Sequence, residues 1–327
     1  MKILLVVKCA FVCATLCALL VSSPAQDVYS PYLVGNGDHY VHIMPTIDEK
    51  ARIDATLPPS QPLLYHGGPV MITQNLYAIF WLPKTLQDGS PTSMSAKYQP
   101  VIKQFLGDYP AHGIKNNSTQ YYQGSTTKTY IKNVGAFTAF YVDTNPYPAS
   151  ECFDGVTGSN CITDAQLEAE VTRVMGVEGW KPSSTNMFLV FTSSGEGSCF
   201  DSSSTSCSYT QYCAYHSAFG TVSAPTIYGN EPYLNQPGCF SGLYPNGDSS
   251  ADSAVSVASH EITEANTDPE LNAWYDASGN EIGDICNFNF GTATWDGGKA
   301  NQTWNGHFYY MQQEYDNHTS SCVQVGP

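Results

Sequence analysis

The run Ser259-His260-Glu261-Ile262-Thr263-Glu264-Ala265 sets an imidazole and a carboxylate four residues apart. On a helix, that spacing puts His260 and Glu264 on one face, where both reach a single cation, with Glu261 roughly a hundred degrees round. This is the geometry of the H-E-x-x-H zinc hydrolases, in which ligands at i and i+4 hold the ion and the intervening Glu is general base toward activated water. Here the second ligand is a carboxylate, whose negative charge makes that water less acidic than at an all-imidazole site.

A third ligand is needed, and Asn280-Glu281-Ile282-Gly283-Asp284-Ile285-Cys286 offers two acids, seventeen and twenty positions beyond Glu264. Glu281 is the expected ligand and Asp284 the hydrogen-bond partner of His260, with the reverse assignment open. Asp268, just past the helix, is a further supporting acid. His216 and His307 are candidate additional ligands or hydrogen-bond donors to substrate, although a lone His more often has a satisfied core role. His66, beside Gly67-Gly68-Pro69, reads as a turn residue. The competing readings of the helix are a buried structural His–carboxylate network and a calcium site made by the acids. No G-x-S-x-G elbow supports Ser-His-Asp chemistry.

The elements that position these residues follow from periodicity. Ser249 to Asn266 reads as a helix, with Ser249 and Asp252 able to cap it, Ala254, Val255, Ala258, Ile262 and Ala265 as an apolar stripe, and Pro269 as its stop. Val70 to Leu82 is β-branched and aromatic and predicts a buried central strand, the first of the core. Ser95 to Gly107 carries Tyr98, Val101, Ile102, Phe105 and Leu106 at helical spacing. Thr127–Lys132 and Ala136–Val142 alternate like a hairpin about Asn133-Val134-Gly135. Thr163 with Gln166 makes a capping box for a helix bearing Leu167, Val171, Val174 and Met175, and Met187 to Thr192 is another buried strand. The order predicts an α/β (α+β) fold: a mixed central sheet flanked by helices, with a zincin-like active-site helix and disulfide-rich loops. From Ser193 to Asp248, disulfides are expected to replace regular structure. Residues 26 to 62, ending in Pro58-Pro59-Ser60-Gln61-Pro62, read as an extended arm or short pro-segment, and 63 to 327 as one globular domain.

The N-terminus sets the compartment. Lys2 and Lys8, an apolar stretch from Cys9 to Val21 and Ser23-Pro24-Ala25 read as a signal peptide over residues 1–25, too short in its apolar run to span a bilayer. Of 11 cysteines, Cys9, Cys13 and Cys17 fall in that leader. Eight remain: Cys152, Cys161, Cys199, Cys207, Cys213, Cys239, Cys286 and Cys322. An even set in an exported chain implies disulfides, with Cys152–Cys161 and Cys199 to Cys207 or Cys213 as local loops. Thirteen basic residues, less the two lysines of the leader, face 29 acidic ones, a balance of −18 that repels phosphate backbones and anionic membranes. Nucleic acid and membrane are therefore excluded as partners of the mature chain. Sequons at Asn116, Asn117, Asn301 and Asn317 predict a glycoprotein if the host is eukaryotic.

Tyr65-His66-Gly67-Gly68-Pro69, the strand Asn75 to Trp81 and the helix ending Phe105-Leu106 resemble the opening of the exordium, or phosphate-induced, family of secreted, cell-wall-associated plant proteins. Cys213-Ala214-Tyr215-His216 and Asn235-Gln236-Pro237-Gly238-Cys239 are similar to two further elements of that family, so the resemblance covers roughly residues 60 to 325. The stretch from His260 to Pro269, with Asn272-Ala273-Trp274-Tyr275-Asp276 and Glu281 to Cys286, is associated with microbial-type relatives. The family resemblance implies a growth-related wall protein without catalysis, whereas the helix implies a hydrolase.

The expectation is thus a secreted zinc hydrolase acting on polypeptide, with Glu261 as base and metal held by His260, Glu264 and Glu281 or Asp284. The alternative is a non-catalytic cell-wall protein that binds polysaccharide through aromatic and Gly-rich surface between Ser193 and Tyr244, its acids structural or calcium-binding.

Overall fold

β-branched and aromatic runs broken by Pro and Gly become strands here, and the longer periodic runs pack on them as helices. The structure, a computed structural model, describes residues 30–37 and 39–327. The expected signal peptide lies outside the described residues. In chain order the elements that matter are β1 (Leu33–Gly35), β2 (Tyr40–Pro45), α1 (Ile47–Asp54), β3 (Gln74–Trp81), α2 (Tyr98–Asp108), β4 (Gly135–Asp143), α3 (Asp164–Glu178), β5 (Asn186–Phe191), β6 (Tyr212–Thr221), β7 (Ala224–Glu231) and α4 (Ser249–Thr267). The seven strands form one mixed sheet in the order β1-β2-β6-β7-β5-β3-β4. The β1, β2, β6 and β7 neighbours run antiparallel, and β7, β5, β3 and β4 run parallel.

Alternation along the strands divides the core between two faces. Met44, Leu76, Ala78, Phe80, Leu189 and Ala214 meet α2 and α4 on one side. Val41, Ile43, Ile79, Val190, Tyr215 and Tyr228 meet Leu167, Val171 and Val174 of α3 on the other. Both halves of the α3 capping box form, with Gln166 N donating to Thr163 Oγ1 and Thr163 N to Gln166 Oε1.

Four expectations change. Of the expected arm over 26 to 62, the described residues are not irregular throughout: within them β1 and β2 complete the sheet, and α1 follows, capped by Thr46. The pattern was hidden because β2 is buried on both faces and its α4-facing side carries His42, which breaks the apolar signal. The segment Ser193–Asp248 supplies β6 and β7, a long hairpin through the sheet centre; its Ser, Gly and Cys content dilutes the β signal. Thr129–Tyr130 pairs with Tyr122–Gln123 and not with β4, which is an edge strand parallel to β3. Finally, Asp248 is the N-cap of α4, accepting from Ser250 N and Ala251 N. This helix is buried from Ser250 to Thr267 all round, as its small Ala and Ser side chains allow, and so is a central helix, not a half-exposed one.

Four disulfides join all eight cysteines: Cys152–Cys161, Cys199–Cys207, Cys213–Cys239 and Cys286–Cys322. Among the described residues no helix is long and apolar enough to cross a membrane. Disulfides of this number belong to oxidising compartments. The side-chain amides of all four sequon asparagines donate to backbone carbonyls within the fold.

Candidate metal centre

Adjacent strands β2 and β6 place His42 directly opposite His216, both side chains turned toward α4. From the helix, His260, Glu261 and Glu264 rise to meet them. A one-turn helix at Asp284–Cys286 closes the far side, bringing Glu281 and Asp284. Gly283 makes this approach possible, since a Cβ there would lie 2.6 Å from His260 Nδ1 and 2.9 Å from Glu264 Oε1. Gly68 plays a similar part outside the centre: a Cβ would overlap Asn272 Oδ1, so the Tyr65–Pro69 turn can lie against the segment leaving α4 only without one. Cys286–Cys322 fastens the acid-bearing turn two residues beyond Asp284.

The predicted residues come together. Glu264 Oε1 is 3.1 Å from His260 Nε2, while Asp284 Oδ1 is 4.0 Å from the same nitrogen. His42, unforeseen, is the hub of the downstream acids: its Nε2 meets Asp284 Oδ2 at 2.8 Å, its Nδ1 meets Glu281 Oε1 at 3.1 Å, and Glu264 Oε2 is 4.0 Å away. Asp284 therefore partners His42 before His260. His216 Nδ1 lies 3.1 Å from Glu261 Oε2 and 3.7 Å from Glu264 Oε2.

Hydrogen-bond direction assigns the ring nitrogens. His216 Nε2 faces the carbonyl oxygen of Asp268 at 3.4 Å and must donate to it, which leaves Nδ1 as a lone pair aimed at two carboxylates. Gln312 Nε2 donates to Gly283 O at 3.1 Å and lies 3.0 Å from His260 Nδ1, so Nδ1 accepts and Nε2 carries the hydrogen. His260 Nε2 lies 3.1 Å from Glu264 Oε1 yet has no hydrogen-bond partner, and of the strand histidines it is His216 that turns an Nδ1 lone pair to the carboxylates. Gln312 was not foreseen; as a neutral amide far along the chain it carried no sequence signal.

Every one of these side chains is at most 2% exposed. Despite that, Glu261 Oε1, Glu264 Oε2, Glu281 Oε2 and Asp284 Oδ1 have no hydrogen-bond partner. Burial first, then Glu264 and Glu231, holds Glu261 well above the usual carboxyl range; burial and then Asp268 does the same to Glu281. Glu264 is raised by burial and by Asp284. His42 resists its burial, because Asp284 and Glu264 push it up to about 8, whereas burial and the neighbouring His42 hold His216 well below an ordinary histidine. Buried oxygens without donors are costly unless protonated or bound to a cation. The sets His42–Glu264–Glu281 and His216–Glu261–Glu264 each have ligand atoms close enough to share one ion.

The other predicted residues fall at varying distance. Asp268 borders the cluster, with Oδ1 accepting from Asn272 N and Ala273 N, and burial pushes it up to about 7. His307 is elsewhere, 42% exposed and bonded at 2.6 Å to Asp108, where it ties a small hairpin to α2. His66 is an exposed turn residue stacked on Tyr275, with Gly67 at φ 106°. Fold and site together define a disulfide-linked α+β protein with a buried, metal-competent His/carboxylate centre. No protein-family model matches the chain, and no curated protein and no solved structure matches it.

Proposed function

We propose that the protein is a secreted metal-dependent hydrolase, with polypeptide as its substrate class and zinc as the expected ion. The observation that carries this reading is the convergence on Glu264 of imidazole nitrogens and unpaired carboxylate oxygens in a deeply buried centre. A divalent ion held there by Glu264, the strand histidines and the acids at 281 and 284 would supply Lewis-acid polarisation of a carbonyl and acidification of water. Asp284 Oδ2 holds His42 through Nε2, and the Asp268 carbonyl orients His216 through Nε2. Glu261 keeps Oε1 unpaired, which suits it to accept a proton.

A cavity of about 320 Å³ runs along β6 beyond His216, lined by Tyr40, Ala218, Phe219, Glu270 and Leu271 among others, and no side chain of the centre lines it. Of the aromatic residues in the segment expected to bind wall glycan, Tyr209, Tyr212, Tyr215, Tyr228 and Tyr233 are 0–7% exposed, too buried to stack on sugar, which leaves the half-buried Phe219, Phe240 and Tyr244 to that reading. One observation favours a structural ion instead, calcium in an oxygen-rich shell included, because closed sites bury all their ligands as this one does. Chelation separates the two. Peptide hydrolysis should vanish on metal removal, return with zinc, and be absent in Glu261→Gln. Hydrolysis unchanged by chelation and by that substitution would end the hydrolase reading.

A further inference from the structure

We propose that this centre takes two divalent ions bridged by Glu264, an inference that rests on the metal reading above. Two donor sets meet there and share one residue. In the first, His42 Nε2 faces Asp284 Oδ2 at 2.8 Å and Glu264 Oε2 at 4.0 Å, and Glu281 Oε1 lies 3.1 Å from its Nδ1. In the second, His216 Nδ1 faces Glu261 Oε2 at 3.1 Å and Glu264 Oε2 at 3.7 Å, with its other nitrogen committed to the Asp268 carbonyl. Ligand atoms on one tetrahedral ion with bonds of about 2.0–2.2 Å lie roughly 3.3–3.6 Å apart. The observed separations bracket that value in both sets.

The donor count exceeds one ion. Two imidazole nitrogens and the carboxylates of Glu261, Glu264, Glu281 and Asp284 point inward, and each of those four acids has one oxygen without a partner. A single tetrahedral ion uses four donors and leaves the rest stranded. Charge points the same way. Four ionised carboxylates around one dication leave two negative charges in a volume where no ligand exceeds 2% exposure; a second dication leaves none. Carboxylate-bridged pairs with ions about 3.5–4 Å apart are an established hydrolytic arrangement, and the ring centroids of His42 and His216, 5.6 Å apart, allow one ion beneath each.

The test is a metal count on the full-length, disulfide-bonded protein. It is stripped with chelator, reloaded with excess Co²⁺ or Mn²⁺, desalted, and read by plasma emission and by electron paramagnetic resonance. Two ions per chain with an exchange-coupled spectrum are expected. His42→Ala and His216→Ala should each fall to one uncoupled ion, and His39→Ala, which removes a separate His39–Asp164–Glu168 group on the α3 side, should keep two. One uncoupled ion per chain in the wild type at saturation overturns the two-ion centre and leaves the metal reading standing; no ion at all overturns both. Two ions that persist in His42→Ala and His216→Ala, or that fall to one in His39→Ala, also overturn it. Circular dichroism of each variant shows that it folds, and where one does not, the wild-type count and spectrum decide.

Discussion

On the α3 face of the sheet, Asp164 is buried and fully partnered: Tyr215 and Tyr228 donate their hydroxyls to Oδ1 at 2.9 and 2.7 Å, and His39 meets Oδ2 at 2.9 Å. On the α4 face, Glu264 is as deeply buried, yet its Oε2 accepts nothing and three histidines and three further acids, Glu261, Glu281 and Asp284, crowd round it. One face solves the burial of a carboxylate with phenols. The other leaves an oxygen unsolved by protein alone, and a buried carboxylate oxygen of that kind is one that a cation or a proton would satisfy.

Breaking the comparison at its sharpest point should have the largest effect. Chelation of wild-type protein should lower its stability by about 4 kcal/mol relative to protein held in metal at a thousand times the dissociation constant, and Glu264→Ala should lose both the metal and the stabilisation. Thermal melts with and without chelator check this. The α3 face should respond in the opposite sense: Leu167→Ala, a buried leucine in that core, should cost about 3 kcal/mol in denaturant unfolding and leave metal content unchanged.

Removing the Cys286–Cys322 bridge by double Ser substitution should cost about 3–4 kcal/mol, since it closes a loop of 36 positions, and metal should be lost at lower denaturant than the sheet unfolds. Metal retained through the sheet transition would show that the bridge does not hold the acid turn in place. The effect rests on the short distance between Cys286 and Asp284, not on the fold at large.

A third buried carboxyl, Glu196, sharpens the comparison at the smallest scale. Gln87 Nε2 donates to its Oε1 at 2.7 Å and its Oε2 is unpaired; burial, with Asp88 and Asp154 adding, pushes it up to about 8. Its folded value lies above the unfolded one near 4.5, so the folded chain binds the extra proton between about pH 4.5 and 8. Stability is therefore lost as pH rises through that window, by at most about 1.4 kcal/mol per pH unit from this group. Glu196→Gln should flatten that slope in urea titrations run from pH 5 to 8.

Strong periodicity made β3, β5, α2, α3 and α4 legible in the sequence, and the Thr163–Gln166 box fixed the start of α3 to the residue. The i, i+4 spacing likewise revealed Glu264 and its downstream acids. What sequence hid was the other wall of the centre. His42 meets Asp284 across 242 positions, and it sits in a short strand that reads as part of a Pro-bounded arm. Local pattern carries no record of such a pairing. His216 was visible only as a lone histidine; it gained meaning once β6 set it opposite His42 and the Asp268 carbonyl fixed its tautomer.

X-ray absorption at the zinc edge of protein secreted and purified without chelator tests the central claim most directly. The account predicts a stoichiometric edge with a mixed nitrogen and oxygen shell at about 2.0–2.2 Å, lost in Glu264→Ala. No edge from folded protein, or one that survives that substitution unchanged, would contradict it.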